Sequence, residues 1–181
     1  MVLKLSSKQT ENSHFAEKVE LRKMYTKNGD LVFDAYSADG KIWNEIQKKF
    51  DVKVLRIEKE KHKKGIYLCG DNIKFMMSID LSKYDIIDLD AFGIPYQQLK
   101  IAIKKAKKGC HIFVTFIQTM YGGLPTALLE DIGYSRVMVK KVPSLFYRKG
   151  FEKLKFWLAV NGIEDVDYYR FGRKIYLHFV K

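Results

Sequence analysis

Leu31-Val32-Phe33-Asp34-Ala35-Tyr36-Ser37-Ala38-Asp39-Gly40, running on into Lys41-Ile42-Trp43-Asn44-Glu45-Ile46-Gln47-Lys48-Lys49-Phe50, decides the fold. The apolar run 31–36 reads as a buried strand, and small, acidic and glycine residues then turn the chain. Ile42, Trp43, Ile46 and Phe50 recur on one face of a helix over 41–50. A strand that turns at once into an amphipathic helix is the first half of a crossover unit.

The same alternation continues downstream. Residues 52–58 read as a second strand, a lysine-rich connection spans 59–64, and 65–69 read as a third strand. A short helix over 73–81 and a fourth strand over 84–90 follow. Pro95 suits the first turn of a helix running to Lys108, in which Leu99, Ala102, Ile103 and Ala106 keep helical spacing. Gly109 ends it and 110–118 form a fifth strand. This pattern predicts an α/β fold, an open and mostly parallel sheet with helices on both faces. The last third differs: a Phe, Trp and Leu-rich helix over 144–160 precedes runs 166–171 and 174–180, which flank Gly172 as an antiparallel hairpin at the sheet edge. Residues 15–24 read as one helix within an N-terminal extension over 1–29, with a single domain over 30–181.

Composition narrows the function classes. The 181 residues are 47% apolar and 14% aromatic with only 12 Gly and 3 Pro, which excludes disorder and collagen-like chains. A net charge of +12 favours a polyanion such as nucleic acid or an anionic membrane surface, although a Lys-rich solvated surface accounts for it with no partner. Cys69 and Cys110 form no CxxC pair, and His14, His62, His111 and His178 show no HExxH, so no metal site is expected and a reducing cytoplasm is the simplest compartment. No apolar stretch reaches membrane-spanning length and residues 1–8 lack a signal-peptide core, so a soluble protein with no membrane partner is expected.

In an open α/β sheet, ligands bind beyond the carboxyl ends of the strands near the point where strand order reverses. Acids stand there: Asp34 and Asp39 after the first strand, Glu58 after the second, Asp71 after the third, Asp88 and Asp90 in and after the fourth. The glycine-rich phosphate loops GxGxxG and GxxxxGK[ST] are absent. Glu58 suits a ribose diol and lies near the spacing of roughly 20 residues from the first turn. Asp71 can accept from an exocyclic adenine amine, and Asp34 can meet a cationic chain. Adenosine with a cationic amino-acid tail and no phosphate describes S-adenosylmethionine. Each acid also has a plainer reading as a turn residue or helix cap, with Asp39 capping the helix that starts near Lys41.

The turn 34–40 resembles the D-x-F-A-G-x-G loop of the class I methyltransferase superfamily, with Ala38 at the middle glycine. Asp88-Leu89-Asp90-Ala91-Phe92-Gly93-Ile94-Pro95 is similar to the D-x-D-P-F-G-x-P stretch of the tRNA guanine N2,N2-dimethyltransferase family, with Ala91 at its proline, and more loosely to the D-P-P-Y motif of amino-methylating enzymes. Residues 114–123 faintly resemble the segment after the fifth strand in the same tRNA enzymes. The resemblance implies a Rossmann-like core that binds S-adenosylmethionine through Asp34, Tyr36, Ala38, Gly40, Glu58, Asp71 and Asp88. It also implies that Asp90 accepts from a target amine and Phe92 stacks on a flipped base.

The C-terminal third places Lys140, Lys141, Arg148, Lys149, Arg170 and Arg173 among Phe146, Tyr147, Tyr168 and Phe171. Such a surface suits phosphate contacts and base stacking, with RNA a better fit than DNA. The plainer reading is a solvated face over core aromatics. Two further readings compete with an amine methyltransferase: a nucleic-acid-binding protein of the same fold without catalysis, and a nicotinamide-dependent oxidoreductase, which the missing glycine fingerprint disfavours.

Overall fold

The structure is a computed structural model that describes residues 14–61, 67–118, 123–146 and 148–181. Its elements in chain order are α1 (Phe15–Lys23), β1 (Leu31–Asp34), α2 (Lys41–Gln47), β2 (Lys53–Glu58), β3 (Leu68–Cys69), α3 (Asn72–Ser78), β4 (Ile86–Leu89), α4 (Tyr96–Lys105), β5 (His111–Ile117), α5 (Thr126–Asp131), α6 (Arg136–Lys141), α7 (Gly150–Val160), β6 (Asp167–Phe171) and β7 (Lys174–Val180). One sheet runs in the order β3-β2-β1-β4-β5-β7-β6. The first five strands are parallel, β7 is antiparallel to β5, and β6 closes the edge antiparallel to β7. The expected α/β sheet with a terminal hairpin is what the chain forms.

Alternation along the strands divides the core in two. Phe33, Ile87, Val114 and Leu177 face one side, where Leu99 and Ala102 of α4 and Leu154 and Leu158 of α7 cover them. Val32, Ile86, Phe113 and Tyr176 face the other, under Val19 and Leu21 of α1 and Trp43 and Ile46 of α2. Each fully buried large aliphatic side chain contributes about 1.5–3 kcal/mol relative to exposure, so α1 and α2 are held by one shared apolar layer.

Several expectations need correction. The helix expected over 144–160 is broken: a 3-10 turn (Pro143–Phe146) precedes it, Lys149 takes a left-handed φ of 53°, and α7 starts at Gly150. Gly150 packs closely there: a Cβ would stand 2.2 Å from the side-chain oxygen of Gln118, so a larger residue would need that side chain to move. α5 and α6 were not anticipated, each being only 6 residues long, too short for periodicity to register. α2 is capped by Gly40 in a left-handed conformation with no side-chain cap bond, and Asp39 instead lies 3.7 Å from Lys41. The third strand has 2 residues; 65 and 66 of its expected span lie outside the described residues, as do 1–8, residues 62–64 of the lysine-rich connection with His62 among them, Tyr147 and 119–122. Among the described residues, no helix is long and apolar enough to cross a membrane.

Candidate functional site

The chain order of the strands reverses between β1 and β4, and a cleft of about 500 Å³ opens beyond their carboxyl ends. Asp34, Tyr36, Ala38, Gly40, Glu58, Asp71, Asp88, Asp90 and Phe92 all line it. The parallel register puts Asp34 directly beside Asp88 on adjacent strands. Because Val32 and Ile86 belong to the α1–α2 side of the core, the two acids two residues later point to that side as well.

That side carries the cations. Arg22 forms a bidentate pair with Asp88, Nε donating to Oδ2 at 2.7 Å and Nη2 to Oδ1 at 2.6 Å, and the Trp43 indole N–H donates to Oδ2 at 2.8 Å. Arg22 Nη1 also donates to the Lys18 carbonyl at 3.0 Å. One turn earlier on α1, Lys18 Nζ donates to both oxygens of Asp90 at 2.8 and 2.9 Å, and the Thr115 hydroxyl donates to Oδ1. Asp34, 4% exposed, accepts from the Tyr36 amide at 3.2 Å and, among the described residues, has no cation in contact.

Three carboxylates therefore share two cations, and their protonation follows. Burial, reinforced by the charge of Asp88, holds the Asp34 carboxyl well above the usual carboxylate range. Burial pushes Asp90 the same way, but Arg22 and Lys18 outweigh it and Asp90 ends below its ordinary value. Burial would lower Arg22, yet Asp88 outweighs burial and the guanidinium is held more firmly protonated. Burial pushes the Tyr36 phenol up to about 12.

The rest of the wall is built from strand-end turns. Glu58 Oε1 accepts from the Lys59 and Glu60 amides at 2.7 and 3.2 Å, which pins the carboxylate at the end of β2. Asp71 caps α3 through one oxygen, Oδ1, which accepts from Ile73 at 2.8 Å and Lys74 at 3.4 Å. Asn72 donates to the Ala35 carbonyl and accepts from Gln98, tying the first loop to α3 and α4. Ala38 takes φ 44° and Gly40 φ 67°, so the turn adopts the left-handed conformation that favours glycine at both positions. Phe92 stands out at the lip, 83% exposed.

No protein-family model matches the chain, and no curated protein matches it in sequence. Solved structures do match in architecture. A SAM dependent methyltransferase from Archaeoglobus fulgidus superposes with a TM-score of 0.60 at 14% identity, over 92% of this chain and 94% of that one. This is the class I methyltransferase fold. A precorrin-6y C5,15-methyltransferase from Geobacter metallireducens gives 0.57 at 9% identity, over 99% and 93% of the two chains. Phosphoethanolamine N-methyltransferase 2 of Haemonchus contortus, in complex with S-adenosyl-L-methionine, gives 0.59 at 11% identity over 92% of this chain and 52% of its own, so the present chain spans about half of that enzyme.

The nine cleft residues anticipated from sequence come together, with one change of part. Asp88, expected among the cofactor contacts, has both oxygens engaged by Arg22 and Trp43 and serves as the cleft's internal brace. The six basic residues do not line the cleft. Arg173 sits in the β6–β7 turn, next to Lys174, which does line it, and Arg148 and Lys149 precede Gly150, packed on Gln118 just beyond β5. Arg170 is exposed on β6, and Lys140 and Lys141 end α6, none of whose residues is buried. Among the described residues no group of His, Cys, Asp and Glu is arranged to hold a metal ion.

Lys18, Arg22, Trp43 and Thr115 were missed. A signal existed for the first two: Phe15, Lys18, Val19 and Arg22 follow i, i+3, i+4, i+7 spacing, which puts two cations on the core-facing side of an amphipathic helix. Cations there require acids to meet them.

Proposed function

We propose that the chain is an S-adenosylmethionine-dependent methyltransferase acting on an exocyclic amine of a nucleic-acid base, with RNA preferred to DNA. The observation that carries this reading is the loop after β4, which sets the acceptor carboxylate of Asp90 and the exposed ring of Phe92 on the lip of the same cleft that holds Asp34, Glu58 and Asp71. The residues suit the cofactor: Asp34 is a buried acid with no cation in contact among the described residues, turned toward a cavity that a positively charged tail can enter. Glu58 holds the ribose, the second oxygen of Asp71 faces the adenine amine, and Tyr36, Ala38 and Gly40 shape the loop around the tail. The bound cofactor supplies an electrophilic methyl group on sulfur.

An exocyclic amine is a poor nucleophile while its lone pair is delocalised into the ring. A carboxylate accepting one of its N–H bonds favours the geometry that turns that lone pair toward the methyl; as the N–C bond forms the C–S bond would break, leaving a neutral thioether, and the carboxylate can take the proton that the amine loses. Much of the remaining barrier is positioning. A base reaches this pocket only when unstacked, and a ring such as Phe92 replaces part of the lost stacking. Arg148, Lys149, Arg170 and Arg173, with Lys140 and Lys141, supply phosphate contacts that fix the strand without reading its sequence.

The test has two arms. S-adenosylmethionine and S-adenosylhomocysteine should raise the melting temperature, NAD should not, and Glu58→Ala should remove the shift; equal melting with and without the first two ligands ends the cofactor claim. Labelled methyl from S-adenosylmethionine should pass to RNA, less to DNA and not to protein, and Asp90→Ala should abolish it. Salt-sensitive RNA binding with no cofactor binding would instead identify a non-catalytic binding protein.

A further inference from the structure

Asp34 and Asp90 form a built-in comparison. Asp34 is buried and Asp90 nearly so, both point toward α1 and both line the cleft, yet burial lifts one far above its ordinary value while the other stays below. The difference lies in the cations: the charge of Arg22 acts strongly on Asp90, and Lys18 binds it directly. Lys18 and Asp90 have side chains 12% and 13% exposed, and the ammonium lies 5.0 Å from the centre of the Tyr176 ring. Its backbone is fixed in turn, since Arg22, locked onto Asp88, donates to the Lys18 carbonyl.

An ionised carboxylate offers about four acceptor positions. At Asp90, Lys18 uses one on each oxygen and Thr115 uses a second on Oδ1. Among the described residues no further donor reaches Asp90, so one position remains, on Oδ2. We propose that Lys18 is a positioning residue for methyl transfer: it holds Asp90 as an oriented anion whose single remaining acceptor position, on Oδ2, receives the N–H of the substrate amine. The inference rests on the amine-methyltransferase reading and adds to it a helix before the sheet that completes the site.

Without Lys18, Asp90 would keep only the charge of Arg22 and the Thr115 hydrogen bond against its burial, and its carboxyl would move upward, toward the raised state of Asp34. A protonated carboxyl presents an O–H donor to an amine that needs an acceptor, and it is no longer oriented by three donors. The charged groups acting on Asp90 include Lys18 and Arg22 from α1 and Asp34 from β1, and Asp88 from β4 with Lys174 and Tyr176 from β7 line the same cleft. Removing Lys18 takes away the cation in direct contact.

The experiment compares wild type, Lys18→Met and Lys18→Arg, with melting temperature as the control for folding. In the cofactor-bound protein labelled with 13C at the Asp carboxyl carbons, Asp90 should titrate below the ordinary carboxylate range in wild type, move upward in Lys18→Met and stay low in Lys18→Arg. With unmodified tRNA transcript as acceptor, Lys18→Met should lower kcat about 100-fold with the KM for S-adenosylmethionine little changed. The acid limb of its pH profile should move to higher pH, and Lys18→Arg should restore most of the rate. An unshifted Asp90 titration in Lys18→Met, a faster Lys18→Met enzyme, or labelled methyl recovered on Lys18 itself would each overturn the proposal, the last two by making Lys18 an inhibitory plug or the acceptor. Absence of transfer to any nucleic acid by wild type would overturn the functional reading alone, because the carboxyl titration still reports on Lys18.

Discussion

Arg22 lies flat against Asp88 across 66 residues of sequence, two parallel N–H to oxygen bonds of 2.7 and 2.6 Å joining side chains that are each 1% exposed. A buried pair of this kind adds little net stability compared with apolar residues of the same shape, but removing one partner strands a charge in the core. Arg22→Met should therefore cost about 3–5 kcal/mol in urea unfolding. Arg22→Met combined with Asp88→Leu should recover much of that, short of the hydrogen bond that the Trp43 indole would no longer make. Equal destabilisation by the single and double variants would show that the pair does not act as a unit.

Binding of a cationic ligand should release a proton from Asp34. Its carboxyl is held high by burial and by Asp88, so a positive group entering the cleft favours the ionised form and pulls the value down. The sign follows: S-adenosylmethionine affinity should rise with pH through the raised value, up to the titration of the ligand's own ammonium. Calorimetry in buffers of different ionisation enthalpy should detect the released proton. Asp34→Asn should bind more weakly and with a flat pH dependence; a slope retained in that variant would assign the proton elsewhere.

RNA affinity should depend on salt through the basic residues at the cleft end of the sheet. Every single-strand phosphate that a side chain neutralises adds about 0.7 to the log–log salt slope. Arg148→Ala, Lys149→Ala and Arg173→Ala together should therefore reduce the slope by about 2 if all three touch phosphate. Melting temperature should hardly move, because Arg148, Lys149 and Arg173 are exposed. An unchanged slope in fluorescence anisotropy would remove them from the interface.

The strand-end acids were legible because two periods announce themselves locally: β1 and β2 end on acids, β4 carries one beside its last residue, and the helices that follow keep helical spacing. Knowing where strands end in an open sheet locates a cleft from the sequence itself. What was not legible is long-range. The spacing of Lys18 and Arg22 puts both cations on the core-facing side of α1, but nothing within α1 specifies which acids meet them, Asp90 lying 72 residues on from Lys18. The break before α7 was hidden for a related reason, since the start of that helix at Gly150 packs against the side chain of Gln118, just beyond β5.

Acid should weaken the protein through His178 before carboxylates titrate. Its imidazole, 2% exposed, stacks on Tyr25 at 3.6 Å and lies 2.9 Å from the His111 ring nitrogen, and burial with the neighbouring His111 lowers it to about 4. An unfolded histidine titrates near about 6.5, so between those values the unfolded chain binds the extra proton and stability falls as pH drops. The full loss is about 3 kcal/mol. Asp34 acts with the opposite sign, because a raised carboxyl takes up a proton on folding, so the comparison must be between variants. His178→Phe should flatten the decline in denaturation stability from neutral to mildly acid buffer relative to wild type; parallel curves would clear His178 of the effect.

Ala38 is the position in the first loop where glycine should do better. Its φ of 44° lies in the left-handed region, which costs a residue with a Cβ about 1–2 kcal/mol, while the greater freedom of glycine in the unfolded chain costs about 0.5–1 kcal/mol. The difference favours Ala38→Gly by up to about 1 kcal/mol, or a rise of about 2–4 °C in Tm at this chain length. The side chain removed is a single methyl at the cleft wall, half-buried and outside the apolar core, so no packing penalty offsets the gain. A lower Tm for Ala38→Gly in calorimetry would mean that the loop does not hold this conformation, and the placing of Tyr36 and Gly40 around the cofactor tail would fall with it.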